Sequence, residues 1–322
     1  MPTAHSVNER IVRGREMKRF GIFAAAALAL SVPGAARAGA DLYVSNFVNG
    51  AIGEYDASTG ATINASLVAG LSEPIGLALS GGNLFVADAG TSKVIGEYNA
   101  STGAAINASL VSGLNLPYGL TFANGDLFVT NVLSDTIGEY NATTGAAINA
   151  ALVTGLSEPT GLAFSNGNLY VVNNASNTIG EYNATTGATI NASLVTGLDD
   201  PDGIAVSNGD LYVANILSGT IGEYNASTGA AINASLVAGL SEPIGLALSN
   251  GDLYVANYNS NTIGEYNAST GATINASLVT GLEQPTFLAV ANPGSAVPEP
   301  ASLSLLAAGT LGLAAFRRRA RG

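Results

Sequence analysis

Residues 201–237 read PDGIAVSNGDLYVANILSGTIGEYNASTGAAINASLV, a stretch that divides into four extended segments separated by turns. Ile204-Ala205-Val206 follows Pro201-Asp202-Gly203. Asn208-Gly209 then supplies a two-residue turn, because a type I′ hairpin needs positive φ at both central positions and Asn-Gly tolerates it. Asp210-Leu211-Tyr212-Val213-Ala214-Asn215 is a second strand and Thr220-Ile221-Gly222-Glu223-Tyr224 a third. A Gly-terminated turn, Asn225 to Gly229, leads to a fourth strand over 231–237. Four antiparallel strands in about 42 residues make one propeller blade.

The same wording recurs along the chain. The glutamate of Ile-Gly-Glu-Tyr stands at Glu54, Glu97, Glu139, Glu181, Glu223 and Glu265, with spacings of 43, 42, 42, 42 and 42. A period in this range with short β-type segments is the signature of a propeller or solenoid. The turn pair recurs as Asn124-Gly125, Asn166-Gly167 and Asn250-Gly251, and as Gly81-Gly82 in the second unit. Leu-Tyr/Phe-Val strands begin at Leu42, Leu84, Leu127, Leu169, Leu211 and Leu253, but the first has no Pro-x-Gly strand ahead of it. Its missing partner lies at the far end, in Pro285-Thr286-Phe287-Leu288-Ala289-Val290. The two ends must therefore complete one blade together, which removes the open sheet edges of an unclosed array. The expected fold is all-β, a six-bladed β-propeller of four-stranded antiparallel blades over residues 39–292, closed by pairing of its N- and C-terminal strands.

Composition narrows the chemistry. The chain has 322 residues, 47% of them hydrophobic, with 40 glycines, no Cys and no Trp; its one histidine is His5. Disulfide frameworks and Cys/His zinc sites are excluded, as are Ser-His-Asp and Cys-His catalytic sets in the repeats. Between residues 39 and 297 twenty carboxylates face a single cation, Lys93, a net of −19. Nucleic acid is not an expected partner, because phosphate binding needs clustered Lys and Arg. Such charge suits a soluble exported protein or one that attracts cations.

The ends of the chain read as addresses. Met17-Lys18-Arg19 opens a basic region, residues 20–32 are apolar, and Ala36-Arg37-Ala38 is a small-residue cleavage pattern, so residues 1–38 are expected to be a signal peptide, with Met17 an alternative start to Met1. A linker over 293–300 carries Pro298-Glu299-Pro300. Residues 301–316 are apolar and Arg317-Arg318-Arg319 follow, so 301–322 is expected to be a membrane-inserting helix with a basic cytoplasmic end. This order resembles the PEP-CTERM sorting signal of Gram-negative bacteria. The resemblance implies export through the inner membrane, an exosortase as partner near Pro298, Glu299 and Pro300, and release to or attachment at the cell surface. It also implies a setting in the cell envelope or exopolysaccharide.

The repeat wording, Pro-x-Gly-Leu-Ala, Asn-Gly-Asp-Leu-Tyr-Val-Ala-Asn and Thr-Ile-Gly-Glu-Tyr, resembles NHL-type six-bladed repeats, whose faces bind proteins, sugars or nucleic acid. Pro201-Asp202-Gly203 also resembles the gluconolactonase and senescence-marker group, where such segments place metal ligands in the channel. That resemblance implies a metal-dependent hydrolase or lactonase, with Ca²⁺ as the candidate ion. Here, however, the position of Asp202 is filled elsewhere by Ile75, Tyr118, Thr160, Ile244 and Thr286, and a divalent cation wants several oxygen ligands. No cofactor and no enzymatic activity are expected.

A polar rim is the remaining candidate site. Glu73, Glu158, Asp200 and Glu242 precede repeat prolines, at positions where Leu116 and Gln284 stand in the other two units. Asp88, Asn131, Asn173, Asn215 and Asn257, with Asn46, end the second strands. If the blades run outward from the axis, both sets lie at one channel mouth, where with Asp202 they could hold a cation or a carbohydrate. The plainer account is turn chemistry copied by duplication. The Glu of Ile-Gly-Glu-Tyr is expected to face solvent or a neighbouring blade. Asn-Ala-Ser/Thr tripeptides, as at Asn64, Asn99, Asn141 and Asn191, match the N-glycosylation pattern and are read as repeat wording. The expected role is a surface or matrix protein that binds polysaccharide or envelope proteins through contacts repeated around a ring.

Overall fold

The computed structural model describes residues 40–291; the segments expected to be a signal peptide (1–38), a Pro-Glu-Pro linker (293–300) and an apolar C-terminal helix (301–322) lie outside them. Each blade has four strands. The inner strands are β4 (Pro74–Ser80), β8 (Pro117–Ala123), β12 (Pro159–Ser165), β16 (Pro201–Ser207), β20 (Pro243–Ser249) and β24 (Pro285–Ala291). The second strands are β1 (Asp41–Asn46), β5 (Asn83–Asp88), β9 (Asp126–Asn131), β13 (Asn168–Asn173), β17 (Asp210–Asn215) and β21 (Asp252–Asn257). The third are β2 (Ala51–Asp56), β6 (Val94–Asn99), β10 (Thr136–Asn141), β14 (Thr178–Asn183), β18 (Thr220–Asn225) and β22 (Thr262–Asn267). The outer strands are β3 (Thr62–Val68), β7 (Ala105–Val111), β11 (Ala147–Thr154), β15 (Thr189–Val195), β19 (Ala231–Ala238) and β23 (Thr273–Val279).

The six sheets are four-stranded, and one of them has the order β24-β1-β2-β3. The expected closure is therefore present: Asp41 pairs with Ala291, Leu42 with Val290 and Tyr43 with Ala289, antiparallel. Inner strands of consecutive blades lie side by side all the way round, from β4 past β24 and back to β4, so they surround the axis. The Asn-Gly pairs stand at the hairpins between first and second strands, with Asn124, Asn166, Asn208 and Asn250 at positive φ as type I′ geometry requires.

The core lies between blades. Leu42, Leu84, Leu127, Leu169, Leu211 and Leu253 of the second strands and Ile52, Ile95, Ile137, Ile179, Ile221 and Ile263 of the third are fully buried. One cluster, for example, packs Phe85 and Ile95 of one blade against Leu127, Val129 and Tyr140 of the next.

The turn from third to fourth strand fixes the blade spacing. Gly145 has φ of +70°, and a Cβ there would sit 1.8 Å from the Leu110 carbonyl oxygen of the preceding blade. Gly60, Gly103, Gly187, Gly229 and Gly271 meet Leu278, Leu67, Leu152, Leu194 and Leu236 in the same way, so the contact also spans the closure. Asn141 Oδ1 shapes this turn by accepting the N–H groups of Thr143 and Thr144 and the Thr144 hydroxyl.

Candidate functional site

The axis is filled by side chains. Ile75, Tyr118, Thr160, Asp202, Ile244 and Thr286, one per inner strand, are all buried, Asp202 and Thr160 completely. Six identical large groups cannot meet at one point, and here they differ. Tyr118 Oη donates to Asp202 Oδ2 at 3.0 Å, joining β8 to β16 two blades away. Thr160 Oγ1 donates to the Asp202 carbonyl oxygen, and Thr286 Oγ1 to that of Pro74. Phe287 stands where the other inner strands carry glycine, and its ring meets Tyr118 edge-on at 5.7 Å. With Phe47, Leu116 and Val132 these rings form an apolar cluster on one side of the axis.

Of the expected rim residues, the pre-proline residues and the second-strand ends sit together at one end of the blades, whereas Asp202 is buried in the axis. Pro74 pairs with Asp88, Pro117 with Asn131, Pro159 with Asn173, Pro201 with Asn215 and Pro243 with Asn257, so the pre-proline residues and the second-strand ends are neighbours. Their side chains have different tasks. Asp88, Asn131, Asn173 and Asn215 accept backbone N–H groups from Ser72, Asn115, Ser157 and Asp199, at 2.9 to 3.2 Å. Three of these residues, and Asn257 in the next blade, also bond tyrosine hydroxyls of the third strand: Asn131 with Tyr140, Asn173 with Tyr182, Asn215 with Tyr224 and Asn257 with Tyr266. In the second blade the carboxylate Asp88 takes this place; burial raises its pKa, while the Ser72 N–H opposes the rise.

Among the carboxylates, Glu73 and Asp200 are buried, Glu158 is half-buried and Glu242 is exposed. Asp200 Oδ1 accepts from Asn174 Nδ2 at 2.7 Å. The pre-proline residues Glu73, Leu116, Glu158, Asp200, Glu242 and Gln284 all hold positive φ, so one loop conformation is repeated in the six blades. Among the described residues no group of three or more His, Cys, Asp or Glu side chains is arranged to hold a metal ion. The donors around Asp202, a phenol and neutral hydroxyls, do not fit a divalent cation that seeks several anionic or carbonyl oxygens.

Of the two places expected for the glutamate of the repeated Ile-Gly-Glu-Tyr, solvent is the one it avoids. Glu54, Glu97, Glu181, Glu223 and Glu265 are buried, each opposite an aromatic residue of the second strand in its own blade. Tyr170, Tyr212 and Tyr254 donate their hydroxyls to Glu181, Glu223 and Glu265 at 3.2 to 3.3 Å. Asn83 and Asn168 add bonds of 2.7 Å to Glu97 and Glu181. Where aspartate replaces that asparagine, two carboxylates meet: burial first, then the charge of Asp126, Asp210 or Asp252, raises Glu139, Glu223 and Glu265. Burial and the Glu223 charge push the Tyr212 hydroxyl up to about 12. The glycine of the motif makes room for the tyrosine two residues on: a Cβ at Gly222 would lie 2.7 Å from Tyr224 Oη.

Sequence reasoning missed the Tyr118–Asp202 bridge and the Phe287 plug. The signal was there as departure from the repeat: a tyrosine among Ile and Thr, and a phenylalanine in a column of glycines.

Fold and axis together define the class, a closed six-bladed β-propeller with a side-chain-filled centre. Its architecture is similar to that of a chain in the crystal structure of a nidogen/laminin complex, with TM-score 0.69 and 17% identity over 79% of this chain and 99% of that one. At that identity the likeness shows the fold alone. Residues 296–319 match the PEP-CTERM protein-sorting motif, which implies an exported protein whose C-terminus is processed by an exosortase at the membrane. No curated protein matches the chain in sequence.

Proposed function

We propose that this exported propeller is a binding and structural protein of the cell surface or extracellular matrix, engaging exopolysaccharide or envelope proteins, and not a catalyst. The observation that supports this is the periphery: all six outer strands carry a charge-free Ile-Asn-Ala segment, exposed throughout in five blades and with Ile63 half-buried in the blade of β3. Contacts that are weak singly gain avidity when six are held at fixed spacing on one rigid ring. The acidic end of the blades adds exposed Glu242 and half-exposed Glu158 to the surface available. The competing class is a metal-dependent hydrolase or lactonase in the channel. Against it weighs the axis, where Asp202 is fully buried and bridged to Tyr118.

Two measurements separate the classes. Titration of the exported chain against a panel of extracellular polysaccharides should give binding that weakens sharply as the oligosaccharide is shortened; uniformly blank binding removes carbohydrate recognition. A thermal melt with millimolar Ca²⁺ or Mg²⁺ should show no more than the general effect of screening the net charge, equal for the two ions. A shift specific to one ion, together with lactone hydrolysis, would overturn the binding role in favour of the channel enzyme.

A further inference from the structure

Two sets of Asn-Ala-Ser/Thr tripeptides recur in the blades, and the structure separates them. At the turns after the third strands, Asn99, Asn141, Asn183, Asn225 and Asn267 are half-buried, and their Oδ1 atoms shape the turn. Asn99 Oδ1, for example, accepts from the N–H and hydroxyl of both Ser101 and Thr102. The tripeptide there is explained by the fold.

On the outer strands it is not. Asn64, Asn107, Asn191, Asn233 and Asn275 are exposed, and each Oδ1 accepts one bond, from the N–H of Ser66, Ser109, Ser193, Ser235 or Ser277 at 3.1 Å. The third blade shows what this geometry needs. Asn149 Oδ1 accepts the Ala151 N–H at 3.2 Å in the same way, so the local bond requires no hydroxyl. Five of six blades nevertheless carry serine there, exposed. Asparagine with a hydroxyl two residues on, in an exposed position of an exported chain, is the acceptor pattern for N-glycosylation.

We propose that Asn64, Asn107, Asn191, Asn233 and Asn275 are N-glycan acceptors, modified on the exported side of the membrane by a lipid-pyrophosphate-linked saccharide. In that step the amide Nδ2 attacks the anomeric carbon; the new N–C bond forms as the C–O bond to pyrophosphate breaks. The lipid pyrophosphate leaves with the electron pair, and the amide proton passes to a base of the transferase. The glycans would stand on the outer strands beside the exposed Ile106, Ile190, Ile232 and Ile274, giving a hydrated belt over unpaired sheet edges. This inference rests on export; because the glycans would cover the outer-strand Ile-Asn-Ala segments, it is an alternative to the periphery as the binding surface proposed above.

The test is mass spectrometry of the protein recovered from its own host's envelope. Trypsin has a single site between residues 39 and 297, at Lys93, so cleavage after glutamate serves better. Saccharide increments are expected at the five outer-strand asparagines and none at Asn149. Ser109→Ala, which keeps the bond seen at Ala151, should lose one of the five; Ala151→Ser should add a sixth. Unmodified masses at all five positions, or saccharide on Asn149 or on hydroxyls alone, would overturn the proposal.

Discussion

The axis and the periphery of this ring obey opposite rules. At the periphery all six blades repeat one contact, glycine against a leucine carbonyl, from Gly60 on Leu278 to Gly271 on Leu236. At the axis the six equivalent positions carry four residue types, and the bond that matters, Tyr118 to Asp202, joins two of them unequally. Neighbouring blades meet pairwise at the outside, so one good solution can be copied six times. At the centre all six meet at once, and copies of a large or charged group would collide or repel. Duplication preserves the first kind of contact, whereas the second has to diverge.

Breaking the copied contact should cost most. Gly145→Ala forces a side chain into positive φ and against the Leu110 carbonyl, and about 3 kcal/mol or more should be lost in denaturant unfolding. Gly155→Ala, at φ of +73° with nothing within 4 Å of the new Cβ, isolates backbone strain and should cost about 1 kcal/mol. Equal losses for the two would refute the inter-blade role of Gly145.

The unequal axial bond is next. Tyr118→Phe should destabilise by about 1–3 kcal/mol, because a buried carboxylate loses a donor. Combining it with Asp202→Leu should recover much of that loss, since removing both partners spares the unmatched group. Additive losses in this double-mutant cycle would show that the two side chains act independently.

Between these extremes lies a contact that some blades have improved and others have not. Asp210→Asn should place an amide beside Glu223, as Asn83 does for Glu97, and raise stability by about 1 kcal/mol. A melt that does not rise would sink the carboxylate-pair account.

The smallest expected effect is that of pH. Glu139, Glu223 and Glu265 have folded pKa values above the ordinary one, so the fold favours their protonated form. Their contribution is fully present below the unfolded value and is lost as pH rises through the folded one. Asp56 opposes them: hydrogen bonds from Ser58 and Thr59 lower its pKa, and its share is lost on acidification. Melting temperature should therefore rise slightly from pH 7 to about pH 5, and that rise should shrink when Asp126, Asp210 and Asp252 are changed to asparagine.

Strand number, blade number and ring closure were legible in the sequence because each has a local signal. Asn-Gly pairs mark hairpins, the 42-residue spacing counts blades, and a strand missing at Leu42 reappears at Pro285. The rim was legible as a position but not as a chemistry. That Asn131, Asn173 and Asn215 tie loop N–H groups to tyrosine hydroxyls depends on partners 16 residues away in one direction and 9 in the other. Glu223 looks exposed by its charge and is buried because Tyr212 lies directly across the ladder to receive it. Both are matters of register between strands, which periodicity alone does not fix.

The strand that closes the ring also decides how the molecule bears a load. Asp41 and Ala291 are paired residues, so the chain enters and leaves the disc at one point, and the sorting motif begins only a few residues beyond. A pull on a tail held at the membrane would act at the last rung of the β1–β24 ladder. It would open that ladder one rung at a time, as a zip, and would not shear all the rungs together. The seam that makes the ring is thus also where a load from either chain end would enter it, at the pair Asp41–Ala291.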